Sequence, residues 1–257
     1  MIHYQVHARN SAAMWEALAK GYGALIVGTE AVRIVAPSPY HALRAIVLDP
    51  TANRATTIAA IVDTVTGESG VPRRVVEDAS GEMDLSAHGL AVRFRMTVMS
   101  RPAGGVVPEA VPDVRVIAVT DERSLAEAEQ ILMTVFPPAG SPAQLRGRIQ
   151  PARVLDLPGW RVWLAYRGGI PAGAAYTYHD GSSLGVYQVG TLPEHRGNGV
   201  ARALMAAILK AYPADVVTLT ATDQGRPLYD ELGFEVTTRA IWWWPSHTGD
   251  DSGEGLR

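Results

Sequence analysis

The stretch PEHRGNGVARALM, residues 193–205, sets two glycines and an arginine directly ahead of a helical run. Thr191 and Leu192 close a strand, and Pro193 ends its hydrogen-bond ladder by removing a donor. The segment Arg196-Gly197-Asn198-Gly199-Val200-Ala201 then enters ARALMAAILKAY. The glycines let the backbone aim N–H groups at one point, and Ala201 keeps the wall low for close approach. Unpaired amides and the positive end of the helix dipole face the same way, which is the chemistry of a pyrophosphate site. Val200, Leu204, Ala207, Ile208 and Ala211 form the stripe that would anchor the helix on a sheet. A dinucleotide fingerprint does not fit, because no third glycine stands in register; a Walker loop fails for want of Gly-Lys-Ser/Thr.

The elements that must position this loop occupy a chain of 257 residues, enough for one large domain or two ordinary ones. With 47% hydrophobic and 19% charged residues it can bury a core. The net charge of −3 argues against a general nucleic-acid binder. The absence of cysteine removes disulfides, thiolate metal sites and any acyl-cysteine intermediate, and no metal site is expected. MIHYQVHARNSAAMWEAL lacks the build of a secretory signal, and no apolar stretch suits a membrane span, so a cytoplasmic protein is expected.

Residues 11–22 read as a helix started by a serine, 41–50 as a strand, and 51–69 as a helix with Ile58, Ile61 and Val65 on one stripe. A strand at 71–79, a short helix at 81–90 ending at Gly89 and a strand at 91–99 follow. RPAGGVVPEAVPD, residues 101–113, is rich in proline and glycine without hydrophobic period and reads as a linker. The pattern then restarts: a strand at 114–120, an amphipathic helix at 121–136, a break at 137–142 and three strands over 160–192. After the loop and its helix come a strand at 215–222, a helix near 226–232 and a strand at 234–244. Residues 246–257 form a polar tail expected to be mobile. Helix–glycine–strand recurs in GEMDLSAHGLAVRFRMTVM and RPLYDELGFEVTTRAIWWW, which suggests a duplication; chance is the rival explanation.

Two motifs in order narrow the chemistry. The loop fits the pattern Arg/Gln-x-x-Gly-x-Gly/Ala, preceded by Pro193-Glu194-His195, and ATDQGRPLYDELGF (221–234) carries Leu-Tyr-x-x-Leu-Gly-Phe. In both, residues 114–244 resemble the GNAT superfamily of N-acetyltransferases. That resemblance implies an α/β (α+β) domain: a mixed, splayed β-sheet flanked by helices, the acyl-CoA N-acyltransferase fold, here in tandem. It implies acetyl-CoA as co-substrate, with pantetheine along the backbone of Val189 and Thr191 and pyrophosphate on amides from Gly197, Asn198, Gly199, Val200 and Ala201, with Arg196 nearby. Thr222 stands where many members place an Asn or Ser that reaches the cofactor. Tyr229 matches the family's tyrosine acid, which would protonate the leaving thiol. A helix tyrosine packed over the Leu-Gly-Phe turn is its plain alternative.

The expected organisation is a degenerate GNAT-like or accessory domain at 1–100, the linker at 101–113, a catalytic domain at 114–245 and the tail. In the first domain DPTANRATT replaces the glycine loop, so no cofactor is expected there. The expected activity is direct acetyl transfer to the primary amine of a small molecule, metabolite or antibiotic-like, without membrane or nucleic-acid partners. The alternatives are a non-catalytic acyl-CoA-binding regulator and a protein N-acetyltransferase. No general base is assigned: Glu194 suits a solvated surface, and His179-Asp180 a turn. Tyr176, Tyr178 and Tyr187 suit packing or the wall of an acceptor cleft. Trp242 and Trp244 should share a face and Trp243 take the other, as core or as a subunit interface that leaves a homodimer open.

Overall fold

The structure, a computed structural model, describes residues 3–67, 73–137 and 145–246. The described residues form two compact units, one within 3–100, 220–227 and 235–246 and another within 101–219 and 228–234. The sequence segment 114–245 therefore contributes to both.

The first unit opens with helix α1 (His3–Tyr22), which begins well before residue 11. Ser11 lies inside it, and its hydroxyl donates to the Glu77 carboxylate (3.0 Å) instead of capping a helix start. Strands β1 (Ile26–Gly28) and β2 (Val32–Val35) precede β3 (Leu43–Val47), helix α2 (Arg54–Thr66) and β4 (Arg74–Asp78). Neither β1 nor β2 has a reading in the sequence. The short helix expected at 81–90 shrinks to a 3₁₀ turn at 86–88. Asp84 takes the Ser86 amide (3.0 Å) and hydroxyl (2.6 Å), and such local side-chain bonds compete with helix formation. Gly89 ends the turn at φ 77°, as its place before β5 (Leu90–Arg101) suggests.

Strands β1 to β3 run antiparallel, and β3 and β4 pair in parallel across the α2 crossover. The strand beside β4 is β11 (Glu235–Pro245), which pairs antiparallel with both β4 and β5. The C-terminal strand thus supplies the middle of the first unit's sheet. Ile61 and Val65 of α2 are fully buried with Val76, Ile241 and Trp243, while Ile58 packs at the margin. Trp242 and Trp244 share the other face of β11, each edge-on to Phe94.

The second unit repeats the plan of an antiparallel run followed by a parallel crossover. It contains β6 (Val114–Ala118), helix α3 (Glu122–Val135), β7 (Trp160–Arg167), β8 (Ile170–His179), β9 (Leu184–Thr191), helix α4 (Val200–Ala211) and the first three residues of β10 (Val217–Ala221). Asp121 caps α3, accepting the Ser124 amide at 2.9 Å. The 137–142 break falls largely, and the tail almost wholly, outside the described residues. Strands β6 to β9 pair antiparallel in sequence order. Ala174 pairs with Gly190, so neighbouring Gly173 points to the opposite face. A Cβ on Gly173 would lie 2.6 Å from Val200 of α4, and one on Gly190 would lie 3.3 Å from Val135 of α3. The two glycines thus let helices press on both faces of the strands that lead to the loop. The stripe on α4 is wider than expected: Ala203, Met205, Ala206 and Leu209 are also buried, whereas Ala211 is exposed.

Candidate active site

The site starts with an interruption in β9. The ladder to β8 steps from Ala174–Gly190 to Tyr176–Tyr187, which leaves Gln188 and Val189 together opposite Ala175. Gln188 adopts φ 49°, in the left-handed region that side chains other than glycine and asparagine rarely enter. One extra residue here is a β-bulge, which turns backbone groups out of the ladder. On its other edge β9 pairs in parallel with β10 at Leu184–Val217 and Gly185–Thr218, and no further. The half of β9 holding Val189 and Thr191 therefore keeps an open edge on that side. The Thr191 hydroxyl is buried there without a hydrogen-bond partner among the described residues.

Past Thr191 a 3₁₀ turn over Pro193–His195 delivers the glycine loop. Gly197 and Gly199 stand at φ 72° and 75°, so both positions need glycine's freedom. Gly199 is the N-cap of α4, and the Ala203 amide closes the first helical bond onto its carbonyl (2.9 Å). The amides of Gly197, Asn198, Gly199, Val200, Ala201 and Arg202 have no hydrogen-bond partner among the described residues. Six successive free donors at a helix start, in a loop open to solvent, form a nest for an anion. The Asn198 side chain does not point at that nest; it braces the loop on the carbonyls of Arg196 (2.8 Å) and His195 (3.3 Å). The exposed Arg196 leans back on the Thr191 carbonyl at 3.4 Å.

Tyr229 lies on α5 (Arg226–Glu231) and is 8% exposed. Its ring meets Phe234 edge-on at 5.8 Å, and its hydroxyl has no hydrogen bond among the described residues. Burial pushes the phenol up to about 12. The Leu232 and Phe234 amides close on the Tyr229 carbonyl at 3.1 and 3.0 Å, with Gly233 at φ 79° as the helix stop. Arg202 of α4 pairs with Glu231 of α5. Thr222 groups with the first unit, and its hydroxyl accepts the Gly225 amide at 3.1 Å.

Other candidates resolve as structure. Asp180 accepts the Ser182 (2.8 Å) and Ser183 (2.7 Å) amides, as a turn aspartate does, and the His179 ring meets the Asp215 carboxylate at 3.1 Å. Tyr176 stacks between Trp160 (5.1 Å) and Tyr187 (5.4 Å). Glu194 is exposed. Among the described residues no group of three potential metal ligands occurs. The bulge at Gln188 has no signal in the sequence, since glutamine carries no preference for that conformation.

Residues 122–241 match the model of an acetyltransferase (GNAT) domain. The chain is also similar to a GCN5-related N-acetyltransferase from Kribbella flavida, at 21% identity and TM-score 0.61, over 90% of this chain and 94% of that one. A GCN5-related N-acetyltransferase from Sphaerobacter thermophilus is 17% identical with TM-score 0.53, over 92% and 90% of the two chains. A tandem GNAT protein from the clavulanic acid biosynthesis pathway gives 16% and 0.52, over 82% and 77%. No curated protein matches the sequence. The expected fold is thus the observed one, and residues 122–241 carry the match to a GNAT acetyltransferase domain.

Proposed function

We propose that the chain moves the acetyl group of acetyl-CoA directly to the primary amine of a small molecule, through residues of its second unit. The observation that carries this reading is the run of six unpartnered amides from Gly197 to Arg202, continuous with the open edge of a bulged strand. In it the pyrophosphate rests on the loop amides, the pantetheine lies along Val189 and Thr191, and Arg196 swings from its backbone contact toward phosphate charge. The bulge at Gln188–Val189 offers a backbone N–H to the thioester oxygen as the carbonyl carbon becomes tetrahedral.

The amine must attack as a neutral species. Its nitrogen bonds the carbonyl carbon, the carbon–sulfur bond breaks, and the proton lost by nitrogen is the one sulfur must gain. Tyr229 is the donor available for that sulfur. With a phenol near about 12 it stays protonated throughout the neutral range. Against a free thiol of ~8.5, complete transfer from it is uphill by roughly 5 kcal/mol. Its role is therefore a hydrogen bond that strengthens as charge grows on sulfur, with the nitrogen's proton passing on behind it.

The first unit binds no cofactor in this reading. Its corresponding turn is already filled from within: the Asp49 carboxylate takes the amides of Thr51 (2.8 Å) and Ala52 (3.2 Å). A pyrophosphate would have to displace that carboxylate. The tandem plan leaves the first unit as a degenerate, cofactor-free relative of the second.

Calorimetric titration with acetyl-CoA tests the proposal, with Gly199→Trp as the loop-blocked control. Micromolar binding to the wild type, lost in the variant, is expected, followed by thiol release on screening small amines. No binding to the folded wild type would overturn it.

A further inference from the structure

Arg101 is an outlier in the second unit. It is 3% exposed and has no carboxylate partner among the described residues. A guanidinium removed from water without a counter-charge is costly unless several acceptors replace the water. Two carbonyls do so here: Nε donates to Leu232 (2.9 Å) and Nη2 to Val106 (2.7 Å). Burial pulls the pKa of the guanidinium below its ordinary value, in keeping with that cost. Leu232 directly follows the six-residue helix of Tyr229, and its carbonyl precedes Gly233 in the turn that closes on the Tyr229 carbonyl. A helix this short has little stability of its own. The approach is close: a Cβ on Gly105 would lie 2.4 Å from the guanidinium.

The segment fastened at Val106 also reaches the cofactor loop. Val111 stands where a Cβ on Gly199 would come within 2.8 Å. Residues 101–111 thus touch both the turn that fixes Tyr229 and the cap of the anion nest, although their composition reads as a spacer.

We infer that Arg101 is a positioning residue of the reaction: it fixes the turn that sets the Tyr229 hydroxyl at the leaving sulfur. This inference rests on the acetyl-transfer reading and adds to it a residue that touches neither substrate. Removing the cation should let the 229–234 turn relax, admit water to the phenol and misplace the donor.

The test uses the full chain carrying Arg101→Gln or Arg101→Lys. A single 3-fluorotyrosine at position 229 is titrated by fluorine NMR beside steady-state kinetics. In Arg101→Gln the phenol midpoint should fall by about one pH unit or more as desolvation is lost. kcat should fall about tenfold with KM for acetyl-CoA held within about twofold. Arg101→Lys, which keeps charge but cannot span both carbonyls, should fall between; it also serves if the glutamine variant does not fold. An unchanged midpoint in either folded variant overturns the inference. If Tyr229→Phe leaves kcat intact, the tyrosine's role in the reaction fails, and Arg101's with it. The phenol titration then still reports whether Arg101 holds the turn.

Discussion

At the scale of single residues, the proposed transfer turns on where one proton is held. Tyr229 keeps its proton because desolvation opposes the phenolate, so its ionisation cannot limit activity until far above neutrality. Tyr229→Phe should lower kcat by about 10- to 100-fold and leave KM for acetyl-CoA nearly unchanged. The wild-type pH profile of kcat/KM should rise as the acceptor amine deprotonates, with no descending limb from this tyrosine below about pH 10. A limb near neutrality that vanishes in the phenylalanine variant would contradict the assignment. His7 shows the same physics with opposite charge: it is 7% exposed in the first unit, and burial holds it at about 4. The unfolded chain takes up that proton below ~6.5 and the folded chain does not until near 4, so stability is constant above the first value. Between them it should fall by about 1.4 kcal/mol per pH unit. His41, also depressed by burial and by Arg44 and Arg73, adds a loss of the same sign. Urea midpoints at pH 7 and pH 5 measure the slope, and His7→Gln should flatten it.

At the scale of elements, two glycines decide whether β9 can hold its shape between two helices. Gly190→Val would drive side-chain atoms into Val135 and Phe136 at the end of α3, next to Val189 and Thr191. The expected result is a loss of about 1–3 kcal/mol in chemical denaturation together with weakened acetyl-CoA binding. Unaltered binding in a destabilised variant would mean that this half of β9 does not carry the cofactor. These elements also show what the sequence makes readable. Gly197, Gly199 and the Leu-Tyr-x-x-Leu-Gly-Phe run are visible because each residue type is there for a backbone or packing demand that few others meet. Strands β7 to β9 stand out through long β-rich runs and the Gly168-Gly169 turn, whose φ values are 59° and 83°. The bulge at Gln188 is invisible, since the register of two strands creates it and no residue preference marks it. Ser11 misleads for a related reason: its hydroxyl suits a helix cap, but tertiary packing offers it Glu77. The three and four residues of β1 and β2 are too short to display any period.

At the scale of the whole chain, neither unit is one continuous segment, and that discontinuity has a mechanical consequence. The expected catalytic span ends with a strand that reads as its neighbour's continuation, because sequence order says nothing about which sheet a final strand joins. β11 lies between β4 and β5 of the first unit, paired with β4 through Trp243–Val76 and with β5 from Glu235–Ser100 to Pro245–Leu90. Trp243 is 4% exposed in the core beneath α2. A chain ending at Phe234 would lose the strand that joins β4 to β5, and the burial of Ile241 and Trp243 with it. At about 1.5–3 kcal/mol for each large apolar side chain, the loss approaches the whole stability of a small domain. The strands β6 to β9 all precede residue 192, so the truncated chain keeps every partner in that part of the second unit's sheet. Hydrogen exchange separates the two responses. Protection should collapse at the amides of β4 and β5 while those of β7, β8 and β9 persist. Equal loss in both sets would mean that the second unit depends on the first for its own folding. Retained protection in β4 would mean that β11 is dispensable to the sheet it completes.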